Sequence, residues 1–152
     1  ILGLTPNAQT NPLSARPVRI DNKPLFLVDN FKTESNSLVI DPNNIESVTV
    51  LKDSTSVAKY GQEGKNGVVI VVPKKTARLL QLDKILDKYN LSHHLNQLKV
   101  CINKTLMPNP HLILIDETLI INVEVTTERI WKNSEAPTTN EKFINIVLKA
   151  RK

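Results

Sequence analysis

The feature that most constrains the fold is a repetition of short apolar segments at a constant offset of 75 residues. Residues 40–41 (Ile-Asp) reappear at 115–116, and residues 48–50 (Val-Thr-Val) reappear as Val-Glu-Val at 123–125. The further matches at this offset are 25–27 with 100–102 and 69–72 with 144–147. Few residues are identical, so the constant register carries the argument, and chance agreement between two strand-rich halves is the alternative. We interpret the chain as a decayed tandem repeat of a strand, strand, helix and strand unit.

Short apolar runs bounded by turn residues define the first unit. Residues 24–28 form such a run, with a proline only at the first position, where its missing N–H is tolerated. Residues 46–51 alternate, which predicts a strand whose Val48 and Val50 share one face and point toward the core. Asp53 is predicted to cap a short helix over residues 54–60.

Three of the four glycines lie in the segment KYGQEGKNGVVIVV, residues 59–72. A phosphate-binding glycine loop follows a strand and opens a helix, so that the helix N-terminus faces the anion. Here the predicted helix precedes the glycines and a strand follows them. The order favours a helix-to-strand turn over a nucleotide site, with Gly61 ending the helix at a positive φ.

The remaining segments complete the predicted organisation: an extended leader at 1–19, a first plug-like unit at 20–75, a linking amphipathic helix at 76–90 and a degenerate second unit at 91–152. Leucines at 79, 82 and 86 recur at helical spacing, with charged residues on the opposite face, and this predicts the helix. Pro137 interrupts the second unit where the short helix would lie, so that unit is expected to keep its strands and lose the helix.

Composition argues against several classes of function. The net charge of +5 comes from lysines and arginines spread along the chain, and few aromatic side chains are available for base stacking, so a nucleic-acid partner is not predicted. The single cysteine, Cys101, excludes an intrachain disulfide and a multi-cysteine metal site, and it is expected to be buried. No apolar run approaches the roughly 20 residues of a membrane-spanning helix, and no cofactor is predicted.

Hydrolase residue types do occur together, as Asp83, Asp87, Ser92, His93 and His94. The two aspartates lie on the polar face of the predicted helix, and no serine stands on a strained turn beside an oxyanion hole. Adjacent histidines project about 100° apart on a helix, so they rarely share a metal ion. We therefore predict that the chain is not an enzyme, with a hydrolase as the less favoured alternative.

Two longer strings are more specific than any of these patterns: KPLFLVDN at 23–30 and IDPNNIESVTVLKDSTSVAKYGQEGKNGVVIVVPKK at 40–75. They resemble the plug domain of TonB-dependent outer-membrane receptors, above all the starch-utilisation type of transporter, in which strings such as PLYVVDG and GANGVIIITTKK occur. Asn30 departs from the glycine that is common there. No TonB-binding box precedes the domain and no alternating barrel segments follow, so the resemblance is to a plug-like domain by itself.

The resemblance implies an α+β fold of small mixed β-sheets with short helices, located in the periplasm or at the outer membrane. The function it implies is that of a non-enzymatic interaction module with an envelope protein as partner, within an outer-membrane uptake system or a membrane sensor system. A carbohydrate- or peptide-binding domain is the alternative. The residues proposed to contact a ligand or partner are Trp131, Lys65 and Asn66. The oligomeric state is left open.

Overall fold

The computed structural model describes Gly3 and residues 22–127 and 140–150. Eleven strands and two α-helices lie within these residues: β1 (Leu25–Val28), β2 (Phe31–Thr33), β3 (Leu38–Val39), β4 (Ile45–Leu51), α1 (Asp53–Tyr60), β5 (Val68–Pro73), β6 (Leu79–Gln81), α2 (Leu82–Lys88), β7 (Lys99–Ile102), β8 (Thr105–Leu106), β9 (Leu114–Asp116), β10 (Ile120–Thr126) and β11 (Phe143–Leu148). Short 3-10 turns connect several of them. The α+β class with small mixed sheets and short helices is confirmed.

Two of the three sheets have the same arrangement. The first has the order β2-β1-β5-β4 and the second has the order β8-β7-β11-β10. In each sheet the two inner strands are parallel to one another and each outer strand is antiparallel to its neighbour. The order and direction of the strands therefore agree between the two halves of the chain.

The strand register also agrees over most of the two sheets. Val48 pairs with Val71 in the first sheet, and Val123 pairs with Ile146 in the second, at the predicted offset of 75 residues. Each of these strand pairs has an irregularity at the same place, next to Ile45 and next to Ile120. The common origin of the two halves stays a prediction.

The first strand of each unit does not follow this offset. Val28 pairs with Phe31 across the first hairpin, and Ile102 pairs with Thr105 across the second, which is an offset of 74. Both hairpins close through two residues of positive φ, as a type I′ turn requires. The alignment of 25–27 with 100–102 is therefore wrong by one residue. Such a slip would turn every side chain to the other face of the sheet.

A third sheet, of order β3-β9-β6, joins the two halves. β3 from the first half is parallel to β9 from the second, and β6 is antiparallel to β9. The helix predicted over 76–90 is correspondingly shorter, because Leu79–Gln81 form β6 and α2 covers only Leu82–Lys88. Pairing with β9 has overridden the helical spacing of the leucines. The proposed division into units at 20–75 and 91–152 stays a prediction, and most of the proposed leader lies outside the described residues.

The main hydrophobic core lies in the second half of the chain. α2 packs its buried Ile85 and Leu86 against a cluster that includes Ile144 and Ile146 of β11. A smaller cluster, built on Val28, Val71 and Leu114, lies between the first sheet and the joining sheet. Cys101 is buried, as predicted.

The prediction that Val48 and Val50 point into a core is wrong. Their exposed fractions are 52% and 54%, whereas Val123, the equivalent of Val48, is 6% exposed. Val123 belongs to the cluster into which α2 packs, while β4 is the outermost strand of its sheet. Alternation correctly placed both valines on one face, but the described residues do not bury that part of the face.

The start of α1 also differs from the prediction. Asp53 is the first residue of the helix, with a φ of 57°, and the preceding Lys52 makes no side-chain cap. The Ser56 hydroxyl instead donates to the Asp53 carbonyl oxygen at 2.8 Å. At the other end Gly61 has a φ of 60°, which confirms the predicted positive angle.

Candidate functional site

The glycine segment is a helix-to-strand turn, as the order of elements predicted. A 3-10 turn covers Gly61–Gly64 directly after α1, and β5 begins at Val68. A Cβ atom at Gly64 would lie 2.3 Å from the backbone oxygen of Ser56, so the glycine lets this turn pack closely on α1. Gly67 has a φ of 92°, and its carbonyl oxygen accepts a hydrogen bond from the amide of Leu25 at 3.0 Å.

Two of the three proposed contact residues lie in this turn. Lys65 is exposed, and its amide donates to the Gln62 carbonyl oxygen at 3.3 Å. The Asn66 side-chain amide donates to the Lys23 carbonyl oxygen at 3.5 Å, and so it connects the turn to the residues before β1. Their role in binding stays a prediction. Trp131 lies outside the described residues.

The hydrolase residue types do not form a relay. The Ser92 hydroxyl donates directly to the Asp87 carboxylate, and the rings of His93 and His94 lie 3.9 Å apart between centroids. In a Ser-His-Asp relay an imidazole lies between the hydroxyl and the carboxylate, and that is not the arrangement here. Within the described part of the chain no group of three or more His, Cys, Asp or Glu residues could hold a metal ion.

A cleft of about 310 Å³ lies between α2 and the start of β7. Its lining is mainly apolar and includes Leu86, Leu95 and Val100, with Asp83 and His111 among the polar residues. The volume is at the lower limit of ordinary ligand sites. The helices that the structure describes, with eight residues in α1 and seven in α2, are too short to cross a membrane.

The most unusual surface in the described part is the outer side of β4, which we call the β4 edge and define as residues 45–51. Ser47 and Thr49 are exposed as well as the two valines, so neither face of the strand is covered at its centre. Strands at a sheet edge usually carry a charge or a proline that discourages pairing with another chain. Residues 47–51 (Ser-Val-Thr-Val-Leu) contain neither.

The start of β4 is fixed by hydrogen bonds to residues from both halves of the chain. Asn44, directly before β4, donates from its side chain to the carboxylate of Asp116 at 2.6 Å, and its carbonyl oxygen accepts from the Lys74 amide at 2.8 Å. The Asp116 carboxylate also accepts from the amide and the hydroxyl of Thr118 at 3.1 and 2.8 Å. The β4 edge is therefore presented by an ordered strand and not by a loop.

Asp116 is fully buried, and its environment has two opposite effects on its pKa. Burial raises the pKa of this carboxyl, but the hydrogen bonds from Asn44, from the side chain and amide of Thr118 and from the backbone of Asp41 outweigh it, so the pKa lies below its usual value. The side chain is thus a carboxylate at neutral pH. It connects the second half of the chain to the turn that precedes β4.

The sequence alone predicted the strand that forms this surface but not its position at the edge of the sheet. The alternation in 46–51 identified the strand and its two faces. Whether a strand lies inside a sheet or at its edge depends on pairing with residues distant in sequence, and here on β5 alone. The absence of charge at 47–51 is readable from the sequence, but it suits a central strand equally well.

Comparison with known proteins supports the resemblance over the first half. Residues 3–68 match the family model described as TonB-dependent Receptor Plug Domain. The chain is 42% identical over 55 residues to TonB-dependent receptor P26 of Formosa agariphila, covering 35% of this chain and 6% of that protein. It is 30% identical over 76 residues to TonB-dependent receptor SusC of Bacteroides thetaiotaomicron, covering 45% of this chain and 8% of that protein. The chain thus matches less than a tenth of the length of these receptors.

A different relative is similar over more of the chain. A biotin synthase of Methanococcus maripaludis is 30% identical over 124 residues, which is 80% of this chain and 37% of that enzyme. Since little over a third of the enzyme is matched, this similarity supports no statement about catalysis. No solved structure matches the chain at a significant level. The resemblance to a receptor plug domain is confirmed for residues 3–68, which include the first string and most of the second.

Proposed function

Because residues 3–68 match the TonB-dependent receptor plug family, we propose that the chain is a non-enzymatic protein-interaction module of the bacterial envelope. The family is one of outer-membrane receptors, so the module is periplasmic or associated with the outer membrane. We propose that it acts within an outer-membrane uptake system or a membrane sensor system, with an envelope protein as its partner.

The observation that carries this proposal is the β4 edge. An extended segment of a partner can add to an exposed strand, because main-chain hydrogen bonds supply affinity and side chains on alternate positions supply specificity. Val48 and Val50 offer an apolar stripe beside the unpaired side of β4, and their exposed fractions leave about half of each side chain to be covered. Exposed apolar side chains that lie next to one another are a feature of contact surfaces.

A peptide-binding domain is the second candidate, since the same edge suits a short extended peptide as well as a strand of a folded partner. The carbohydrate alternative depended on Trp131, which lies outside the described residues. Against a hydrolase of the triad type stands the direct contact between the Ser92 hydroxyl and the Asp87 carboxylate, with no imidazole between them.

Site-specific photo-crosslinking in the native host tests the proposal. A photoreactive amino acid is placed at Val50, and a control is placed at the exposed Asn96 in the second half of the chain. We expect mass spectrometry to identify a crosslinked envelope protein from position 50 and not from position 96. Equal crosslinking from both positions, or a hydrolytic activity that is lost when His93 or His94 is replaced, would contradict the proposal.

A further inference from the structure

We propose that the β4 edge binds the β4 edge of a second copy of this chain, antiparallel and about a twofold axis at Thr49. The inference rests on the proposed function in one respect, namely that this edge is a contact surface. It adds the identity of the partner and the register of the contact. The first sheet of one copy and the first sheet of the other would then form one continuous sheet of eight strands.

The amino-acid order in and beside β4 is self-complementary in this register. With Thr49 opposite Thr49 of the second copy, Val48 lies opposite Val50 and Ser47 lies opposite Leu51, each twice by symmetry. The four valines lie on one face, because Val48 and Val50 occupy alternate positions and pair with Val71 and Val69 of β5. Each valine is thus partly covered by a valine of the other copy, and threonine pairs directly opposite one another favour pairing.

The charged residues on either side of residues 47–51 agree with the same register. Glu46 and Lys52 stand just beyond the ends of the uncharged stretch, and both are exposed. Lys52 continues the extended backbone of β4, with φ −131° and ψ 164°. Pairing about Thr49 brings each Glu46, which lies at the irregularity between Ile45 and Ser47, close to Lys52 of the second copy. Opposite charges directly across an antiparallel pair are stabilising and like charges are destabilising, so the two pairs select this register.

Pairing of β4 with the equivalent edge strand β10 of another copy is less favourable. The equivalent of Thr49 is Glu124, which would be brought against the uncharged centre of β4. In the same register Lys52 would face Ile121 and find no opposite charge. Glu124 also already accepts a hydrogen bond from the Asn145 side chain at 3.1 Å. The charge pattern therefore favours two β4 edges over one of each kind.

Charge reversal tests the register without disturbing the core, since both charged residues are exposed. Sedimentation velocity of the 152-residue chain should show a dimer that increases with concentration. Glu46→Lys alone and Lys52→Glu alone should each lower the dimer fraction, because each places two like charges opposite one another. The double variant should restore it, and so should a mixture of the two single variants. Lys75→Glu, in an exposed turn, is the matched control and should leave the dimer unchanged.

A disulfide at the twofold axis provides a second measurement. Directly opposite residues of an antiparallel pair have Cα atoms roughly 4.5 to 5.5 Å apart, within the range for a disulfide. Thr49→Cys should therefore give a covalent dimer on mild oxidation, whereas Thr55→Cys, exposed on α1, should not.

The outcomes separate the two proposals. A monomer at every concentration, with no covalent Thr49→Cys dimer, would overturn the inference. A dimer fraction that neither charge reversal changes would also overturn it. If Val50 still crosslinks to another envelope protein, the proposed function stands without self-association. If neither a second copy nor an envelope protein is captured at position 50, both proposals are wrong.

Discussion

Replacing Val50 by aspartate distinguishes an exposed edge from a core strand. A little under half of the Val50 side chain is covered, so its loss removes about half of the roughly 1.5 to 3 kcal/mol that full burial of a valine provides. Aspartate is also a poor strand former, on a scale that spans about 1 kcal/mol. In the monomer the carboxylate itself stays in water. We therefore expect Val50→Asp to lower the free energy of unfolding by roughly 1 to 2 kcal/mol and to leave the chain folded.

The matched substitution is Val123→Asp in β10, at the position equivalent to Val48, the exposed neighbour of Val50 on the same face. Val123 is 6% exposed and belongs to the main core, so the variant loses nearly the whole valine contribution and buries a carboxylate. Burying a polar group without a partner costs several kcal/mol more, and a charged group costs more again. We expect a loss of at least about 4 kcal/mol, which is comparable with the whole stability of a marginal domain.

Urea denaturation followed by circular dichroism measures both variants. We expect the midpoint of Val50→Asp to fall modestly with an unchanged slope, and Val123→Asp to be unfolded or nearly so before urea is added. Val50→Thr should lie close to the original chain, because it keeps the branched shape at an exposed position. Equal destabilisation by the two aspartates would refute the reasoning, since it would mean that Val50 lies in a core.

Three further predictions concern other parts of the chain. Asp116 and Glu117 both have a folded pKa below the unfolded value, Glu117 chiefly because the Lys88 side chain donates a hydrogen bond to it. Their contribution to stability is therefore complete above about pH 5 and is lost as pH falls through the folded pKa values. Asp116→Asn should flatten the stability profile measured by acid titration. Gly64→Ala should cost roughly 1 to 3 kcal/mol in urea denaturation, because its Cβ would collide with backbone at Ser56. Ser92→Ala and His93→Ala should each change the unfolding free energy by at most about 0.5 kcal/mol and abolish no activity, whereas loss of a measured turnover would contradict the non-enzymatic assignment.

The strands of the first unit could be predicted because their signal is local. Residues 24–28, 46–51 and 68–72 are short apolar or alternating runs with turn residues on both sides, and β1, β4 and β5 lie on them. The glycine turn was equally readable, since a positive φ at Gly61 is a property of one residue and its neighbours. The two strings that resemble the receptor plug domain extend over the same segments.

The joining sheet could not be predicted, because its signal is not local. Leu79 and Leu80 fit both a helical spacing and a strand, and the decision is made by β9, which lies more than thirty residues away. The offset of 74 residues between the hairpins β1–β2 and β7–β8 could not be predicted for a similar reason. One additional residue between β8 and β9 leaves the composition of both strands unchanged, so only the observed pairing reveals it.

The contrast between β4 and β10 explains why two sheets of one topology present different surfaces. Both are outer strands of seven residues in matching register with their inner neighbours. α2 packs into the core cluster that contains Val123, and the described residues provide no equivalent cover at Val48 and Val50. The exposed valines are therefore a consequence of what packs on the sheet and not of the strand itself. An ordered edge strand without a charge at its centre is open to pairing with another chain, and the opposite charges of Glu46 and Lys52 would favour the register that brings them together.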